Sequence, residues 1–82
     1  MGAWMYNESL NVSLSKTSAK DLCTWTFPTA YQFSNSFAVT VSVEVCFAYV
    51  YSHTSTSCMF KGYNPSGNTY TINKCYAVAL GY

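Results

Sequence analysis

Apolar residues recur at every second position over most of this chain, which is the period of a β-strand. In residues 8–16, Leu10, Val12 and Leu14 alternate with Ser9, Asn11, Ser13 and Ser15. One face of that segment is buried and the other wetted, as at the surface of a half-covered sheet. Residues 16–21 read as a polar link with room for one helical turn. In residues 22–27, Cys23, Trp25 and Phe27 oppose Thr24 and Thr26, and Pro28 ends the run or places it at a sheet edge. Residues 30–33 are a further short strand, and Ser34, Asn35 and Ser36 form a turn by composition.

The strongest alternation runs from Phe37 to Tyr51. Every odd position is apolar or aromatic: Phe37, Val39, Val41, Val43, Val45, Phe47, Tyr49 and Tyr51. The even positions begin with Ala38, Thr40, Ser42 and Glu44 and end with Cys46, Ala48 and Val50. The first half is therefore expected to be buried on one face and the second half on both. At about 3.3 Å per residue such a strand would reach about 50 Å, too long for one flat strand in a small domain. A bulge or bend at residues 44–47 is expected, with the strand serving two sheets.

Residues 52–57, with His53, form a hydroxyl-rich loop. Residues 58–63 and 69–80 are expected to form a hairpin around Asn64, Pro65, Ser66 and Gly67, because Asn, Pro and Gly stand at the first, second and fourth positions of a type I turn. Closing that loop between Asn64 and Thr69 would set Cys58 across from Cys75. The fold class that follows is all-β: a single domain over residues 1–82, built as a small disulfide-stapled β-sandwich or barrel of about five to six mostly antiparallel strands.

Composition sharpens this picture at two points. The chain has 82 residues, of which half are hydrophobic and 9% charged, against roughly 25% charged in an average soluble protein. It has no arginine and four scattered lysines, Lys16, Lys20, Lys61 and Lys74, for a net charge of +1. Hydroxyls and amides carry the polarity instead, and near-zero net charge favours self-association. The second point is the cysteines. Cys23, Cys46, Cys58 and Cys75 are an even set in a short chain, the mark of a disulfide framework in a secreted protein. Three pairings are open, and the hairpin register favours Cys58–Cys75, leaving Cys23–Cys46. Each bridge would stabilise the fold by about 3 kcal/mol on chain-entropy grounds.

No signal peptide is read in residues 1–10, so the expectation is a mature chain with an added methionine or export by another route. No run of about 20 apolar residues marks a transmembrane helix. The sequons at Asn7 and Asn11 are what chance gives in a chain so rich in Asn, Ser and Thr.

The candidate chemistry is sparse. The acids and bases are Glu8, Asp21, Glu44 and His53, and no spacing pairs them for general acid–base work. No catalytic residue is assigned and the chain is read as a non-enzyme. Cysteine and histidine are zinc ligands, but no two cysteines stand two to four residues apart, so neither a metal nor another cofactor is implied. Scattered lysines without arginine argue against nucleic acid. Residues 37–45 and 70–80 have the length and alternation of a transmembrane β-hairpin, a pattern that a half-buried soluble strand shares and explains more simply.

Aromatic residues are the best functional lead. Eight Tyr and two Trp are more than a core this small can hide, and both types are enriched in binding surfaces. Tyr63 and Tyr70 are expected to face each other beside the 64–68 turn. With Asn64, Ser66, Asn68 and Tyr76 they would offer an aromatic, amide and hydroxyl patch for a protein or carbohydrate target. The resulting reading is a secreted binding protein, inhibitor-, toxin- or lectin-like. The alternative is a structural subunit that assembles into an extracellular fibre, coat or shell, because scarce charge leaves strand edges open to pairing.

Overall fold

In chain order the strands are β1 (Gly2–Asn7), β2 (Val12–Leu14), β3 (Ser18–Thr26), β4 (Phe37–Val43), β5 (Phe47–His53), β6 (Ser57–Asn64), β7 (Tyr70–Ile72) and β8 (Cys75–Gly81). They are seen in a computed structural model that describes residues 2–27 and 37–81, without the side chain of residue 37. The expected strand at 30–33, the turn at 34–36 and the role of Pro28 lie outside the described residues.

The protein is all-β, as its period-two pattern requires, and among the described residues every pairing is antiparallel. The described strands number eight rather than five or six. They form three small sheets, ordered β1-β8-β4, β2-β7 and β3-β6-β5. Buried residues of all three belong to one core, with Leu14, Cys58, Phe60, Ile72 and Ala79 fully enclosed.

The bend expected at residues 44–47 is present and divides the long alternation between two sheets. β4 pairs with β8, β5 pairs with β6, and Val45 between them has φ of 65°. That left-handed residue turns the chain over, so the inward parity changes. Val39, Val41 and Val43 pack on the core from β4, whereas Ala48 and Val50 do so from β5. The expectation that residues 47–51 are buried on both faces is corrected here: Phe47, Tyr49 and Tyr51 point outward and are exposed.

The strand expected over residues 8–16 shortens to β2, bracketed by the left-handed residues Asn11 and Thr17. Residues 18–21, expected as a link, open β3 instead. A bulge between Asp21 and Cys23 follows, and Leu22 is buried there against Gly62. A Cβ at Gly62 would lie 3.0 Å from a Leu22 methyl carbon, so this glycine makes the room that the bulged leucine uses.

The hairpin expected between residues 58–63 and 69–80 does not form. β6 lies between β3 and β5, while residues 70–80 divide into β7, which pairs with β2, and β8, which lies between β1 and β4. The division falls at Asn73 and Lys74, whose backbone N–H groups both donate to the Glu44 carboxylate. The hairpin that does form joins β5 to β6 through the hydroxyl-rich loop. There Thr54 Oγ1 accepts the backbone N–H groups of Thr56 and Ser57 at 3.2 and 3.1 Å, a local turn device of Ser and Thr.

Candidate interaction face

Along β8, and at Ala3 and Trp4 of β1, small residues point in and large ones point out, whereas β4 turns Val39, Val41 and Val43 inward and Ala38, Thr40 and Ser42 outward. Ala3, Cys75, Ala77 and Ala79 line the core side. Trp4, Tyr6, Tyr76, Val78 and Leu80, one position along in each case, stand on the outer side. Their exposure is 79% for Trp4, 63% for Leu80, 47% for Tyr76 and Val78, and 44% for Tyr6. The reason lies in the opposite sheet, whose inward residues include Leu22, Trp25, Phe27 and Phe60. Those bulky groups fill the interior opposite β8, where close packing leaves room for Ala77 and Ala79.

Antiparallel register assembles the outer residues into one patch. Trp4 is opposite Val78, Tyr6 opposite Tyr76, and Gly2 opposite Leu80. β4 continues the same rows with Ala38 beside Leu80, Thr40 beside Val78 and Ser42 beside Tyr76. The Tyr6 and Tyr76 rings stack with centroids 4.4 Å apart and planes inclined by 16°. The Tyr6 hydroxyl donates to Glu8 at 2.5 Å. That bond, supported by Tyr76, raises the Tyr6 pKa and keeps its hydroxyl protonated. The strand rows themselves carry no charge, and Glu8 stands at their margin.

A second exposed patch lies on the outer side of the β3-β6-β5 sheet. Phe47 is opposite Tyr63, and Tyr49 is opposite Lys61. Lys61 Nζ sits 4.8 Å above the Tyr51 ring and 3.9 Å from Asp21. This patch has a charged centre, which the first lacks.

The residues singled out from the sequence are placed in three different settings. Tyr63 lies on the second patch, between Ala19 and Phe47. Tyr70 lies on β7 opposite Leu14, where burial and the nearby Glu44 carboxylate raise the pKa of its hydroxyl. The two tyrosines therefore do not face each other, because the strands that carry them belong to different sheets. Asn64, Ser66 and Asn68 do come together, but they hold the turn shut. Buried Asn64 donates through Nδ2 to the carbonyls of Leu14 and Asn68 at 3.1 and 2.7 Å and accepts the Ser66 N–H at 2.9 Å. Ser66 in turn donates to the Asn68 carbonyl at 2.8 Å and accepts its N–H at 3.2 Å. Tyr76 alone of the six belongs to the uncharged face.

Most of that face is absent from the sequence reading for a physical reason. In β1, Ala3 and Met5 point one way and Trp4 and Tyr6 the other, so both parities are apolar and no contrast marks a strand. The available signal was size rather than polarity, since small and large apolar residues alternate in β8.

The four cysteines are free thiols. Cys58 and Cys75 are not cross-strand neighbours, because the expected hairpin is absent. Carboxylates serve local structure: Glu44 holds the two amides at the β7–β8 break, Glu8 takes the Tyr6 hydroxyl, and Asp21 faces Lys61. Among the described residues no cluster of His, Cys, Asp and Glu has the makings of a metal site.

No protein-family model matches the chain, and no curated protein and no solved structure matches it.

Proposed function

We propose that the chain is a small secreted β-sandwich that works as a non-enzymatic binding protein, taking a protein partner on the outer face of the β1-β8-β4 sheet. The observation that carries this reading is the row of large apolar side chains left outside on β1 and β8: Trp4, Tyr6, Tyr76, Val78 and Leu80 are exposed while Ala3, Ala77 and Ala79 are inside. Putting large apolar groups in water forgoes burial energy of about 1.5–3 kcal/mol for each side chain of Val or Leu size. A partner that covers the face recovers it. With side chains offering about 150–250 Å² each for aromatics, the exposed part of the five is on the order of 600 Å². A standard interface takes about 800 Å² per partner, and Thr40 and Ser42 extend the patch as a polar rim. Trp and Tyr with an uncharged centre are the composition of a protein-binding core.

The test uses immobilised wild-type chain, a Trp4→Ser/Val78→Ser variant and a Tyr49→Ser variant, each exposed to the same extracellular fluid from the source. A protein retained by wild type and Tyr49→Ser but lost from the double variant supports the face. Equal retention by all three, or retention of polysaccharide alone, overturns it.

A second reading, a subunit of a self-assembling fibre or coat, is favoured by one observation. Apolar patches stand on the outer sides of two different sheets, and within the described residues β1 and β3 are sheet edges. Two unlike patches on one chain permit head-to-tail growth. Sedimentation velocity decides it: mass that rises with concentration, and falls in the Trp4→Ser/Val78→Ser variant, favours assembly over a separate partner.

A further inference from the structure

Two of the four cysteines meet across the core, and they are not a pair that the sequence favours. Cys75 opens β8 and points inward, fully buried. Cys23 follows the β3 bulge on the inward side of the other three-stranded sheet and is half-buried. Asn7 is the strand partner of Cys75 and lines the same cleft as Cys23, which brings the two thiols together, and they interact directly. The cleft is open, about 560 Å³ in volume, and lies between the β1 and β3 edges, lined in part by Met5, Asn7, Glu8, Cys23, Thr24 and Thr26. Cys23 thus borders the cleft and is partly exposed, whereas Cys75 is fully buried.

We propose that Cys23 and Cys75 form a thiol–disulfide exchange site, with Cys23 as the thiol that reacts with small disulfides of the glutathione type entering the cleft and Cys75 as the resolving thiol. The interaction with Cys75 lowers the Cys23 pKa to about 7, against the opposing effect of burial. The same interaction, with burial, pushes the Cys75 thiol up. A thiolate at the cleft is the attacking group that exchange requires. In the first step the Cys23 thiolate bonds to one sulfur of glutathione disulfide. The original S–S bond breaks and its electron pair leaves on a glutathione thiolate. In the second step the Cys75 sulfur bonds to Cys23 Sγ and the mixed disulfide breaks. The second glutathione leaves and takes up the Cys75 proton. Two protein thiols are oxidised and one glutathione disulfide is reduced to two glutathione molecules.

Cys46 and Cys58 stay outside this chemistry. Cys46 precedes Phe47, which is opposite Tyr63, whereas Cys58 is opposite His53 at the other end of the β5–β6 pair. Six residues of strand separate those ends, about 20 Å, so one chain cannot join the two. Burial also raises the pKa of both thiols.

The experiment treats reduced, folded protein with glutathione disulfide and maps it by chymotryptic digestion without reduction. Aromatic residues stand between each successive pair of cysteines, so every cysteine falls in a separate peptide. Wild type and the Cys46→Ser/Cys58→Ser variant are expected to give one cross-link, Cys23 to Cys75, with the loss of two hydrogens. Cys75→Ser is expected to stop at a stable glutathionyl adduct on Cys23, and Cys23→Ser to lose the reaction. A bridge between any other pair overturns the assignment. So does a Cys23 that stays unmodified in folded wild type while Cys46 or Cys58 reacts.

Discussion

Glu44 Oε1 accepts the backbone N–H of Asn73 at 2.6 Å, and so ties the bend between β4 and β5 to the break between β7 and β8. It also accepts the Lys74 N–H at 2.9 Å. These two bonds, and the Asn73 bond first, hold the Glu44 carboxyl below its ordinary pKa. A carboxylate whose folded pKa is depressed adds stability above its unfolded pKa, about 4.3, and that stability is lost as pH falls through the folded pKa. Urea unfolding of wild type is therefore expected to weaken as pH drops below about 4.3. In Glu44→Gln the midpoint should be lower than wild type at pH 6 and the two curves should converge in acid. Parallel curves across the range would show that Glu44 contributes nothing through its charge.

Asn64 sits fully buried at the end of β6 and satisfies three backbone groups at once. Asn64→Ala leaves the Leu14 carbonyl and the turn amide without these partners. Each buried polar group so orphaned costs about 1–3 kcal/mol. The expected loss is at least 2 kcal/mol in urea or thermal unfolding, on the low side of that range for two groups. A loss within 0.5 kcal/mol, the scale of an ordinary surface change, would mean that water replaces the side chain.

Val45 is a β-branched residue at φ of 65° and is 66% exposed. The left-handed region costs an L-residue about 1–2 kcal/mol, while glycine adopts it freely and loses about 0.5–1 kcal/mol through the unfolded chain. Val45→Gly is therefore expected to be neutral to stabilising by about 1 kcal/mol, against the usual cost of removing a valine. Differential scanning calorimetry reads the sign. A clear fall in Tm would show that the exposed valine makes contacts that outweigh the strain.

Strand content and several turns were legible in the sequence, and pairing was not. The alternation from Phe37 to Tyr51 located β4 and β5 and required a bend, because its length exceeds what one flat strand can use. It could not show that Val45 reverses the inward parity, since apolar residues occupy both parities after the bend. The turn at residues 64–67 was legible from Asn, Pro and Gly, but turn chemistry fixes only a local reversal. Which strand lies beside β6 depends on burying Phe60 and Cys58 between sheets, and residues far away in sequence provide that burial. Glu44 was legible as a polar position in a strand, but not as the clasp that splits residues 70–80. The candidate face was hidden for a related reason. Where both sides of a strand are apolar, polarity no longer tells in from out, and only the size of the side chains does.

The pairing of β1 with β8, Gly2 opposite Leu80 through Asn7 opposite Cys75, has a consequence for how the protein is made. During synthesis β1 is made well before β8, the neighbour with which it pairs. Until β8 is released, the chain holds Trp4 and Tyr6 on a strand with no ladder to join. Contacts this distant in sequence are also the slow ones to close. The nascent chain therefore carries Trp4 and Tyr6 on an unpaired strand while residues 8–74 are made, the condition in which unprotected strands find wrong partners. A chaperone, or rapid passage into another compartment, has its greatest effect in that interval.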